Sequence, residues 1–111
     1  PTTKEIHIKV QMDEQHIPEK IFWSATDAPY VNAEAKAFIV GLWDADKQHA
    51  LRLDMWTKEM PVGDMQYFVY QMFMTMADTY QNATKDKNIA QNIRQFAQMY
   101  AKNVQLQNEK K

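Results

Sequence analysis

Ile6, Ile8, Val10 and Met12 alternate with Glu5, His7, Lys9, Gln11 and Asp13, a period of two that predicts a half-buried strand over residues 4–13. Asp13-Glu14-Gln15-His16 reads as a polar turn, after which a second strand runs from about Pro18 to Thr26. Its faces are Ile21, Trp23 and Ala25 against Lys20, Phe22 and Ser24. Pro18 suits the start of an edge strand, where a missing N–H leaves no bond unmade. Residues 26–33, with Asp27, Pro29 and Asn32, read as a loop.

Residues 34–44 carry a conflict between propensity and pattern. Ala33-Glu34-Ala35-Lys36-Ala37 favours helix, whereas Phe38-Ile39-Val40-Gly41-Leu42-Trp43 reads as a buried strand. Pairing decides it. With Asp44–His49 as a hairpin turn, Leu42 faces Leu51, Val40 faces Leu53 and Phe38 faces Met55, all on one sheet face. Trp43, Ile39 and Ala37 then lie opposite Ala50, Asp54 and Trp56 on the other, a cross-strand match that favours the hairpin.

From Pro61 the period changes to that of a helix, with Asp64 in the first turn and an end near Asn82. One broad stripe holds Met65, Phe68, Val69, Met72, Phe73, Met76 and Tyr80; Tyr67, Tyr70 and Met74 form a second on the opposite side. A second helix, capped by Thr84 or Asp86, carries the single stripe Ile89, Ile93, Phe96, Ala97, Tyr100 and Val104. Folded back, it would cover Tyr67, Tyr70 and Met74; left open, those residues are a secondary candidate for binding a partner. The expected fold is α+β: a four-stranded antiparallel meander followed by two C-terminal helices packed on one face (ββββαα), in a single domain over residues 1–111.

Composition narrows the function classes. At 111 residues, 45% hydrophobic and 12% aromatic, the chain is globular and long enough for one core. A net charge of -1 with interspersed signs argues against a nucleic-acid binder and a polybasic membrane module. Lys102, Lys110 and Lys111 make the C-terminus locally basic, as a helix dipole favours. With no cysteine, disulfides and thiol catalysis are excluded, and no apolar run reaches membrane-span length. No signal peptide is visible, so a cytoplasmic location is expected.

Chemistry-bearing motifs are sparse. His7, His16 and His49 have no metal-ligand spacing, Ser24 lacks a nucleophile elbow, and Gly41 and Gly63 form no phosphate loop. Asp44-Ala45-Asp46 opens like a calcium loop but lacks the sixth-position glycine and has Met55 at the twelfth. Asn82-Ala83-Thr84 matches a glycosylation sequon, which has no meaning in a cytoplasmic chain. Neither an enzyme nor a cofactor is expected. The outer sheet face is more informative, because parity places Phe22, Trp56 and Trp43 there among Arg52, Asp54, Lys9, Lys20 and His7. Aromatics with basic neighbours can stack single-stranded bases, but Asp54, Glu5 and Glu19 and the lack of net positive charge weigh against it.

Several blocks together resemble the gliding motility-associated GldC family of Bacteroidetes. They are Met12-Asp13-Glu14, Ile17-Pro18-Glu19-Lys20-Ile21, Trp23-Ser24-Ala25-Thr26-Asp27, Trp43-Asp44, Leu51–Lys58, Met60-Pro61-Val62 and Met76-Ala77-Asp78-Thr79-Tyr80. The resemblance implies a small non-enzymatic cytoplasmic accessory protein of the gliding machinery, working alongside type IX secretion through protein contacts, with no catalytic residues to carry over. Its blocks put Arg52, Asp54 and Trp56 on the outer sheet face, so that face, with Phe22 and Trp43 placed there by parity, is the leading partner-binding candidate. The alternative is a homodimer built on the sheet, with single-strand binding as a variant.

Overall fold

The computed structural model describes residues 1–29 and 31–106, which fall into two compact units, one over residues 1–60 and one from Pro61 onward. Lys110 and Lys111 of the basic terminus lie outside the described residues.

The first unit is all antiparallel strand: β1 (Ile6–Met12), β2 (Pro18–Ala25), β3 (Ala33–Ala35), β4 (Ala37–Asp44) and β5 (His49–Trp56). In β1–β2, Ile6, Ile8 and Val10 stand opposite Ala25, Trp23 and Ile21, so the alternating apolar positions share a face. Ile21 is fully buried at its centre, flanked by Ala35 of β3. The turn before β2 is set by Asp13, whose Oδ1 accepts from the N–H groups of Gln15 and Ile17, and by His16 in the left-handed region.

The expected single meander is corrected here. The strands form a three-stranded sheet, β1-β2-β3, and a separate two-stranded ribbon, β4-β5. The chain from Ala33 to Asp44 is extended throughout but bends at Lys36. Below the bend β2 pairs with it; above the bend β5 does. Neither eight-residue partner runs along the whole stretch, so the ladder changes hands at the bend. There the Thr57 N–H donates to the Lys36 carbonyl and the Lys58 N–H to the Pro18 carbonyl, so the end of β5 meets the start of β2.

Within the ribbon the expected register holds at every pair: Phe38↔Met55, Val40↔Leu53 and Leu42↔Leu51 on one face, Ala37↔Trp56, Ile39↔Asp54 and Trp43↔Ala50 on the other. Asp44 Oδ1 accepts from the N–H groups of Asp46 and Lys47, and Gln48 takes a left-handed φ of 52°, which closes the turn without glycine. On the face assigned to the core by pattern, Phe38 and Val40 are half-buried while the other apolar side chains stay exposed. Leu42 is 56% exposed and Leu53 62%.

The second unit is a helical hairpin of α1 (Val62–Thr84) and α2 (Lys87–Asn103). Pro61 precedes the first turn of α1, where its missing N–H costs nothing. Lys85 in the left-handed region ends α1, and the Asp86 side chain caps α2 by accepting from the Ile89 N–H. Buried Ala77, Ala90 and Ala97 let the helices approach closely, and Phe73 meets Phe96 and Tyr100 edge-on, each at 5.4 Å between ring centres. At 100° per residue, the α1 line that meets α2 runs through Gln66, Tyr70, Phe73 and Ala77, which draws from both apolar stripes. Phe68 and Met72 therefore lie on the side of α1 away from α2, with Met65 and Val69 on the flank between. Among the described residues no helix is long and apolar enough to cross a membrane.

Candidate functional site

Trp43, Arg52, Asp54 and Trp56 share one face of the β4–β5 ribbon, as alternation along the two strands requires. Trp43 is 65% exposed and Trp56 56%, an unusual amount of open indole for two residues of one sheet face. They sit at opposite ends of the ribbon, about 20 Å apart at ~3.3 Å per residue along the strand. Arg52 and Asp54 lie between them, opposite Gly41 and Ile39, exposed and without an ion-pair partner among the described residues.

Phe22 is not part of this face. It lies in β2, half-buried between Lys9 of β1 and Glu34 of β3, on the three-stranded sheet. The break at Lys36 separates what a continuous sheet would have joined.

The secondary candidates are in the helical hairpin. Tyr67 and Tyr70 meet edge-on at 6.3 Å, and the Tyr70 hydroxyl accepts from Gln98 Nε2 of α2 at 3.5 Å. Tyr100 donates its hydroxyl to the Gln66 carbonyl, and Arg94 pairs with Asp78 at 2.8 Å. Tyr70 is thus engaged by α2, while Tyr67 and Met74 flank that contact, half-buried.

At the base of the ribbon an open groove of about 410 Å³ is lined by Ile17, Pro18, Asp54, Met55, Trp56 and Lys58. Behind it, Lys58 Nζ donates to Asp13 Oδ2 at 2.9 Å, joining the β1–β2 turn to the end of β5. The Asp13 carboxyl is held below its ordinary range, first by the Ile17 N–H and then by Lys58; Asp13 in turn pushes the Lys58 ammonium up. Reasoning from pattern missed Ile17, Pro18 and Lys58 as neighbours of Trp56, and Asp13 as the partner of Lys58. Their blocks stood out in the sequence, yet nothing local signalled that they converge. Among the described residues no cluster of three His, Asp or Glu is placed to hold a metal ion. An aromatic rim, an unpaired Arg and Asp, and a mixed groove fit recognition of a peptide or protein surface.

A search of curated proteins and a search of solved structures each found no match. A family model described as "Gliding motility-associated protein GldC-like" matches residues 18–106. That span opens on the first residue of β2 and takes in the ribbon, most of the groove and both helices, so the chain belongs to the GldC-like family of gliding motility-associated proteins.

Proposed function

We propose that this chain is a non-enzymatic cytoplasmic accessory protein of the gliding machinery, working alongside type IX secretion. It acts by holding another protein component on the Trp43–Arg52–Asp54–Trp56 face of the ribbon. Family membership supports the motility setting. The observation that carries the site is the pair of open indoles flanking an unpaired Arg52 and Asp54, beside the Ile17–Trp56 groove. Buried aromatic anchors with a charged rim are what dominate binding energy at protein interfaces, and exposed indole gains most from being covered.

Replacing Trp56 by Ala tests this in a gliding host lacking the native chain. Colony spreading should fail to recover, and a photo-cross-linker at Ile39, opposite Asp54, should stop capturing a motility or secretion component. Loss of roughly 2 kcal/mol of binding, about 30-fold in affinity, is the scale for such an anchor. The melting temperature of the purified variant should stay within a few degrees of the parent. Full spreading by Trp56→Ala would refute the site.

A further inference from the structure

The faces of the ribbon are one matter; its edge is another. β5 pairs with β4 alone, through a regular register without bulge or proline. Natural edges are blunted by such devices, and β1, at the rim of the other sheet, shows one in its register shift between Gln11 and Met12. β5 has none.

The direction of its backbone groups follows from one bond. Thr57 donates to the Lys36 carbonyl, directly opposite it in the continued register, so 36/57 is a hydrogen-bonded pair. Such pairs alternate in an antiparallel ladder. Met55, Leu53 and Leu51 therefore point their N–H and C=O groups toward β4. Trp56, Asp54, Arg52 and Ala50 point theirs at the free edge. The next outward N–H, that of Lys58, is already taken by Pro18, which limits the open stretch to Ala50–Trp56.

From this geometry we infer that the open edge of β5 is completed by β5 of a second copy, antiparallel about a two-fold axis at Leu53. In that register Arg52 lies opposite Asp54 of the other copy, and Asp54 opposite its Arg52. Ala50 meets Trp56, Leu51 meets Met55, and Leu53 meets itself. Every outward-facing backbone group finds an outward-facing mate, and the exposed Arg52 and Asp54 gain the ion pairs they lack within the chain. Neighbouring two-fold registers do not work. Centring on Arg52 or Asp54 sets like charges against each other, and centring between residues pairs an outward group with an inward one. The β4 edge offers no comparable code, since Ala37, Ile39, Gly41 and Trp43 carry no charge. The product is a continuous four-stranded sheet, β4-β5-β5-β4, in place of two ribbons that are marginal alone.

This goes beyond the docking reading, shares Arg52 and Asp54 with it, and is tested apart from it because it concerns the edge and needs only the purified chain. Sedimentation should give a reversible dimer. Arg52→Asp places Asp against Asp at both symmetric positions and should weaken it about 10- to 100-fold, as should Asp54→Arg; the combined swap should restore it. Both positions are solvent-exposed, and circular dichroism confirms the fold of each of the three variants. The chain lacks cysteine, so a single Leu53→Cys gives a clean second readout. Opposed Cβ atoms at a non-bonded pair come within disulfide reach, so it should cross-link to a dimer under mild oxidation while Leu51→Cys does not. A monomer at all concentrations overturns the inference. So does a dimer indifferent to the charge swaps, or one that cross-links through Val40→Cys in place of Leu53→Cys, which would move the contact to β4. Trp56→Ala leaves the backbone ladder intact, so loss of spreading with an unchanged dimer separates the two proposals.

Discussion

Asp13 shows how one side chain decides the shape around it. Its carboxylate accepts from two backbone N–H groups of its own turn and from Lys58, forty-five positions away in the chain. Charge-assisted bonds of this kind are stronger than neutral ones, and here they fix the wall of the groove beside Trp56. The folded value of Asp13 lies below its unfolded one, so its contribution is complete above the ordinary carboxylate range. It is lost as pH falls through the lowered folded value. Lys58 runs the other way: its contribution is complete below the ordinary lysine range and is lost as pH rises through the raised folded value. Asp13→Asn should therefore lower the urea midpoint at neutral pH, and the gap from the parent should close in acid. A gap that stays constant from neutral pH to strong acid would show that the charge on Asp13 contributes nothing. Asp13 and Lys58 were each legible as members of sequence blocks. Their contact was not, because no local pattern records a partner so distant in the chain.

Among the elements, legibility follows how locally each is encoded. The β4–β5 register was readable because Phe38, Val40 and Leu42 have apolar mates at Met55, Leu53 and Leu51, and a slip by one residue would have set Asp54 opposite Phe38 or Val40. The break at Lys36 was not. Ala33-Glu34-Ala35-Lys36-Ala37 contains no turn residue and no β-branched residue, and the bend is imposed by where β2 begins and β5 ends. β3 was missed for the same reason. In the helices, apolar periodicity placed both elements, while the side of α1 that meets α2 includes the small buried Ala77, with Ala90 and Ala97 buried on α2, which a stripe of large apolar residues conceals. The junction between helices rests on Asp86, whose side chain takes one of the orphan N–H groups of α2. Asp86→Ala should cost about 1 kcal/mol in chemical denaturation, with faster amide exchange confined to the first turn of α2. An unchanged midpoint would show that the Thr84 hydroxyl, which accepts from the Asp86 N–H, already holds the junction.

For the molecule as a whole, balanced charge and the lack of cysteine, glycine loops and metal spacing narrowed the function classes to be expected, while the site depended on exposure that no periodicity reveals. Alternation marked Leu42, Leu51, Leu53 and Met55 as core, yet they stand 37–62% exposed. Pattern reports which residues avoid water; it does not report whether the cover comes from the same chain. A second copy along β5 lengthens the sheet and adds only the Leu53–Leu53 and Leu51–Met55 contacts to that face, but it leaves a thermodynamic trace. Where dimer predominates, each tenfold rise in concentration adds about 1.4 kcal/mol per mole of dimer to the stability of the folded state. For units of this size, that moves the melting temperature by several degrees. The parent should therefore melt progressively higher from micromolar to near-millimolar protein in scanning calorimetry, and the rise for Arg52→Asp should begin only at about 10- to 100-fold higher concentration. The combined Arg52→Asp, Asp54→Arg chain should recover the slope, since it rebuilds both ion pairs with the signs reversed. A parent whose melting temperature ignores concentration would overturn the edge-to-edge dimer.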